Sequence, residues 1–219
     1  TACSPKALND KSMEFNDTQY EAEQSLIKPI NDQIGWITGS QVCYCAEAFQ
    51  GVPREHPDAP ALSVLATVLR NGFLHTAIRE KGGAYGAGAT NDTSTNTFKF
   101  FSYRDPKCTE TFAAFKDAIE WSKTSITDQH LEEAILGVVS SIDKPLSPVG
   151  EAKNDFNFNL ENITTKERLE MRQQVINCSI EDLIRVSKKY LTQNSKKSIL
   201  AGEAYREEAA LLGLTLREV

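Results

Sequence analysis

The sequence has little of what most catalytic chemistry draws on. Histidine occurs 3 times in 219 residues, as His56, His75 and His130. Only His130 has a motif-like neighbourhood: His130-Leu131-Glu132-Glu133-Ala134 nearly spells the inverted zinc motif His-x-x-Glu-His, in which two histidines one helical turn apart grip the metal. Ala134 stands where the second histidine is needed, and a methyl group has no lone pair, so His130 reads as an ordinary residue of a helix start. A Gly-x-Ser-x-Gly nucleophile elbow is missing. The glycine-rich run 82–88 lacks the Gly-Lys-Ser/Thr ending of a phosphate loop. Its extended segment also follows the glycines, the reverse of the strand, loop, helix order that aims N–H groups at phosphate.

Positive charge is in deficit as well. Lys and Arg number 24 against 30 Asp and Glu, a net charge of −6, which argues against a nucleic-acid surface. The longest apolar run, Ala61 to Leu69, is interrupted by Ser63 and Thr67 and is too short to cross a bilayer. A soluble chain with neither nucleic-acid nor membrane partners is expected. The 5 cysteines are odd in number and scattered, unlike a disulfide framework, and point to a reducing compartment. Cys43 and Cys45 share one face of an extended run with no further soft ligand nearby in sequence, so packing is their reading and no metal site is assigned. The opening at Thr1 rather than at methionine marks a processed product or a fragment of a longer protein.

What is present is an ordinary globular balance, 40% hydrophobic and 25% charged, enough to build a sizeable core. Residues 1–24 are polar and read as a linker or tail, with 25–219 as a single domain. Ser25 to Ile30 and Ile34 to Ser40 are short candidate strands or a covering loop, and Gln41 to Phe49 is a firm strand. Ala61 to Phe73 carries Leu62, Leu65, Ala66 and Leu69 on one face, a buried helix. Tyr85 to Thr90 and Thr97 to Tyr103 flank the turn Asn91 to Asn96 as an antiparallel hairpin. Helices follow over Thr109 to Lys123 and Thr127 to Ile142, closed by Pro145 and Pro148. Thr164 with Glu167 has capping-box spacing, Ser179 heads another helical pattern, Lys197 to Gly202 is a returning strand, and a last helix lies near Tyr205 to Leu212. This order predicts an α+β fold: a mainly antiparallel sheet with helices packed on one face.

The stretch Leu74 to Gly88, LHTAIREKGGAYGAG, organises the rest. A helical segment carrying Arg79 should stop at Lys81, with Gly82 as the left-handed residue after it. A strand of Ala, Tyr and Gly then follows, and so few side chains mark a place where another backbone or a ligand comes close. Taken alone, Arg79 reads as a cation at a helix C-terminus and Tyr85 as a half-buried strand aromatic.

The run LRNGFLHTAIREKGGAYGAGATND followed by FKFFSYRDP resembles the C-terminal part of presequence proteases, members of the pitrilysin or insulysin-type family of inverted-motif zinc metallopeptidases. Gln41 to Phe49 is similar to the strand opening that family's last domain, and SILAGE to its closing strand. The resemblance implies a LuxS/MPP-like metallopeptidase domain, the substrate-binding C-terminal domain of a zinc endopeptidase that degrades unfolded peptides. It implies that zinc and the glutamate base belong to an N-terminal half outside this chain, so that the fragment alone is inactive and holds no cofactor. Tyr85 would donate to the scissile carbonyl as it becomes an oxyanion, Arg79 would bind a backbone carbonyl, and Gly82, Gly83 and Gly86 would admit a peptide backbone. The compartment implied is the cytoplasm in a bacterium and otherwise an organelle matrix. Two other readings stay open: a non-catalytic binding or scaffolding module of the same fold, and an unrelated small-molecule hydrolase.

Overall fold

Along residues 43–50 buried and exposed side chains alternate almost without fault, with Cys43, Cys45, Glu47 and Phe49 inward. This is the period of a strand whose sheet has one covered face. The computed structural model of the chain describes residues 32–192 and 194–219; the tail 1–24 and the candidate strand Ser25 to Ile30 lie outside them. Strand β1 is Ile34–Thr38 and β2 is Cys43–Gln50. The hairpin β3 (Gly86–Asp92) and β4 (Thr97–Asp105), then β5 (Lys196–Gly202) and β6 (Thr215–Glu218), complete one sheet of order β3-β4-β2-β5-β1-β6. The pairs β2 with β4, β2 with β5 and β3 with β4 are antiparallel, whereas β1 runs parallel to both β5 and β6. The expected α+β architecture therefore holds, with a parallel margin and a strand β6 that four mostly exposed residues did not announce.

The helices lie on the inward face. Helix α1 (Ala59–Leu69) runs directly into a π-helical segment, Arg70–Glu80, so the two helical stretches read from sequence are one continuous rod. Gly72 does not break it. A Cβ there would sit 2.7 Å from the Trp121 ring, so the glycine serves close packing rather than a turn. The rod Ala59–Glu80 is long and apolar enough to pass for a membrane span by composition, yet half of that window is buried inside this fold. Its apolarity is that of a core helix. Helices α2 (Thr109–Ser122) and α3 (Asp128–Ile142) follow as expected, the latter capped by Thr127. Pro148 opens a helix rather than closing one: α4 (Pro148–Leu160) begins with Ser147 accepting the Gly150 N–H and proline in the first turn, where its missing N–H costs nothing. Capping boxes at Thr164 and Ser179 start α5 (Thr165–Ile176) and α6 (Ile180–Tyr190), and α7 (Arg206–Leu211) precedes β6.

Between sheet and helices sits an aromatic and aliphatic core. Phe100 stacks on Phe115 with ring centroids 5.3 Å apart and meets the edge of Phe49 at 5.9 Å. Leu62, Leu65 and Leu69 of α1, Leu74 of the π segment and Leu183 of α6 are fully buried around these rings. Each such side chain contributes about 1.5–3 kcal/mol by leaving water. Cys43, Cys45 and Cys108 are buried free thiols, in keeping with a packing role. Three acids are taken inside among the described residues, Glu47, Asp58 and Asp105; of these Asp58, just ahead of α1, receives Arg185 at 2.5 Å, Lys189 at 2.8 Å and the Tyr190 hydroxyl at 2.6 Å. It thereby ties the start of α1 to α6.

Candidate functional site

Leu74 and Ile78 are buried and pin the π segment to the core, which leaves His75, Arg79 and Glu80 on its outer side. The backbone is wound in the wider π register: the Lys81 N–H donates to the Thr76 carbonyl at 3.0 Å, an i→i+5 bond. The helix ends where the sequence placed its end, but by another device. Gly83, not Gly82, takes the left-handed conformation, with φ 87°. That turn lets the Gly83 N–H reach the Arg79 carbonyl at 3.0 Å and the Ala84 N–H reach the Ile78 carbonyl at 3.1 Å. Gly82 is required for space, since a Cβ there would lie 2.3 Å from the Ile78 carbonyl oxygen.

After buried Ala84 the chain presents Tyr85, which is 62% exposed. Its N–H donates to the Arg104 carbonyl at 3.2 Å, locking the turn onto β4. The ring lies 5.6 Å from that of Tyr103, and the Arg104 guanidinium is 5.5 Å from its centroid. Arg104 has φ 49°, a left-handed conformation that a non-glycine residue adopts at a cost and that clusters at functional sites. The Tyr85 hydroxyl has no hydrogen-bond partner among the described residues. Beneath the pair, Gly86 makes room for Tyr103: a Cβ would meet the ring at 2.5 Å.

The two tyrosines continue into an apolar row across the open face of the sheet. Gly86 pairs with Tyr103, Tyr44 with Leu200, and Leu200 with Trp36. Trp36, Tyr44, Phe101, Tyr103 and Leu200 line a shallow groove of about 380 Å³. β3 is an edge strand, with one row of backbone groups turned away from β4. A larger cleft of about 860 Å³ opens between α1, β3 and helices α3 to α5, but neither Arg79 nor Tyr85 lines it. Arg79 and Tyr85 thus stand on either side of one glycine turn, as their spacing implied. Sequence reading passed over Tyr103, Arg104 and the row behind them. The alternation in residues 97–103 is the signal that could have placed Phe101 and Tyr103 outward.

The residues near His130 do not fit a metal. The imidazole Nδ1 accepts from the Thr127 N–H at 3.2 Å, closing a helix cap, and Glu133 is engaged by Gln129 at 2.9 Å. Ala134, in the place of the second histidine, is 1% exposed in the core. Among the described residues no group of three His, Cys, Asp or Glu side chains is arranged to hold an ion.

Residues 50–201 match the family described as the PreP C-terminal domain. Over 196 residues the chain is 32% identical to the mitochondrial presequence protease of Kluyveromyces lactis, a match covering 89% of this chain and 19% of that protein. The chain thus spans about a fifth of that relative's length. Among solved structures it resembles a protease from Helicobacter pylori with TM-score 0.67 and 18% identity, over 85% of this chain and 52% of that one. It also resembles the inactive domain of an M16 peptidase from Pseudomonas fluorescens, with TM-score 0.62 and 21% identity over 80% of this chain and 46% of that one. Those two likenesses carry the fold, and the family match carries the kinship: the chain belongs to the PreP C-terminal domain family, a C-terminal domain of M16-type peptidases such as presequence protease.

Proposed function

We propose that this chain is the substrate-holding domain of a zinc metalloendopeptidase that degrades unfolded peptides, with residues 25–219 forming the domain and 1–24 a linker or tail. The observation that carries the reading is the Tyr85 hydroxyl, exposed and without a hydrogen-bond partner among the described residues, beside the glycine turn that ends the Arg79 helix. Tyr85 donates to the scissile carbonyl oxygen as negative charge develops on it. Arg79 donates its planar fork to a backbone carbonyl of the same peptide. Gly82, Gly83 and Gly86 keep the surface around these donors free of side chains. The edge position of β3 and the apolar row from Tyr103 to Trp36 support an extended peptide as ligand, since a strand edge offers backbone groups and the row offers contact for apolar side chains.

Zinc and the base that activates water reside elsewhere in the longer polypeptide, in an N-terminal half that closes on this domain. The partner set is that half and the peptide, without nucleic acid or membrane. The names of the mitochondrial relatives favour an organelle matrix. Supplying a donor and a carbonyl clamp without an activated water, the isolated chain is inert towards peptides, with or without added zinc. In the full-length polypeptide Arg79→Lys keeps the charge, loses the fork, and raises KM more than it lowers kcat. Peptide cleavage by the isolated chain that survives a chelator, or an Arg79→Lys enzyme with unchanged KM, overturns the proposal.

A further inference from the structure

His75 is absorbed by neither the core nor the reading above, yet it is the side chain that Arg79 touches. An Arg79 guanidinium nitrogen, Nη1, lies 3.1 Å from His75 Nε2, and His75 Nδ1 lies 3.4 Å from Glu80 Oε1. Arginine can only donate, so Nε2 is the acceptor, and a neutral imidazole that accepts at Nε2 carries its proton on Nδ1, the nitrogen facing the carboxylate. The Glu80 carboxylate beside Nδ1 favours the proton on that nitrogen electrostatically, which leaves the Nε2 lone pair to the guanidinium. In α-helical register the residues one turn above residue i are i+3 and i+4. The π register of residues 70–80, with its i→i+5 bond from Lys81 to Thr76, brings both i+4 and i+5 over His75.

We infer that His75 is a positioning residue for peptide binding: in its Nδ1–H form, braced by Glu80, it orients the Arg79 guanidinium towards the peptide carbonyl. The inference rests on the reading of Arg79 as the clamp. It gives the π segment a purpose, since π-helical turns recur where function needs an altered side-chain register. It also implies a dependence on pH. A protonated imidazole has no acceptor for Arg79 and repels it, so the orientation is lost as His75 gains its proton. The elements packed on the segment bring few competing charges. Helix α1 has none; β3 has Asp92, which is held by Lys99 at 2.6 Å; α2 has Glu110, Lys116, Asp117 and Glu120, the last held by Lys123. Of the acids in the described residues, Glu80 alone lies within 4.0 Å of a His75 ring nitrogen.

The test uses the full-length polypeptide and a fluorogenic peptide, with kcat and KM measured at neutral pH and in steps below it. His75→Phe keeps the ring shape without an acceptor and should raise KM about fivefold at neutral pH, the scale of one lost hydrogen bond, with kcat little changed. His75→Gln places an amide oxygen near the Nε2 position and cannot titrate. It should keep the wild-type KM at neutral pH, and the ratio of wild-type KM to its KM should rise as the pH falls. His75 is 44% exposed in its side chain, so both variants should fold. Arg79→Ala is the control for the underlying reading: if it leaves KM unchanged, the clamp itself is refuted. If Arg79→Ala raises KM while His75→Phe does not, or if His75→Gln fails to restore binding, the positioning role is refuted and the clamp stands.

Discussion

Tyr85→Phe separates the proposed chemistry from structure with the loss of one oxygen. The hydroxyl has no partner among the described residues and the side chain is largely exposed, so the folded domain should lose no more than about 0.5 kcal/mol of stability. The Phe ring keeps the contact with Tyr103 and the seat under the Arg104 guanidinium. What changes is the donor. One preorganised donor aimed at a developing oxyanion contributes about 2.7–4 kcal/mol in a dry site, whereas a hydrogen bond exchanged freely with water contributes about 1 kcal/mol. With 62% of the residue exposed here, the dryness must come from closure against the rest of the polypeptide, which places the expected loss near the lower end of the first range. At 1.36 kcal/mol per factor of ten, that is about a hundredfold in kcat. KM should move by less than about threefold, because the bond strengthens only as the oxyanion forms. The assay is steady-state cleavage of an unstructured peptide by the full-length enzyme, with a thermal melt in parallel. An unchanged kcat, or a loss residing wholly in KM, would refute the assignment.

Further outcomes are expected at three other positions. Gly202→Ala puts a Cβ 1.7 Å from the Ser40 carbonyl oxygen; the carbonyl is backbone and the Cβ is fixed by its own backbone, so neither can step aside and denaturant unfolding should show a loss of about 3 kcal/mol or more. Gly86→Ala drives its methyl into the Tyr103 ring at 2.5 Å. That ring is part-exposed and can swing away, so the stability cost should stay at about 1–2 kcal/mol while peptide cleavage falls more steeply than in a variant of equal stability elsewhere. Asp58→Asn strips the buried partner from Arg185 and Lys189; because their side chains are 49% and 53% exposed and rehydrate, the cost should be about 2 kcal/mol, below that of a fully buried pair. For Asp58, burial works to raise the carboxyl's pKa, but the hydrogen bonds from Lys189, Tyr190 and Arg185 outweigh it and hold the group well below the usual carboxylate range. A depressed folded value means that this stabilisation is complete at neutral pH. It fades as the pH drops below about 3.9, where the unfolded aspartate takes up its proton first. An acid titration of stability should show the wild type converging on Asp58→Asn; parallel curves would contradict it.

The local periodicities were enough to determine most elements of this protein. Alternation in residues 43–49 and 97–103, the apolar face of residues 61–69, and the hydroxyl and carboxylate pairs Thr164 with Glu167 and Ser179 with Asp182 each act within a few residues. Their geometry follows from chain stereochemistry alone. The broken zinc motif at Ala134 and the spacing of Arg79 and Tyr85 are legible for the same reason. What tertiary structure decided is of longer range. Strand β6 has no strong pattern of its own and exists because β1 offers it an edge. Pro148 belongs with the local signals instead: it is a helix start rather than a stop because the adjacent Ser147 caps the helix and proline suits its first turn. The rod crosses Gly72 unbroken because Trp121, dozens of residues later, lies against the gap. The left-handed residue is Gly83, whose turn brings its own N–H to the Arg79 carbonyl and that of Ala84 to the Ile78 carbonyl, while Gly82 supplies the space a Cβ would take beside the Ile78 carbonyl oxygen. The π register of the segment places His75 under both Arg79 and Glu80. Composition cannot encode this, since whether i+4 or i+5 lies overhead is settled by the packing of Leu74 and Ile78 into the core.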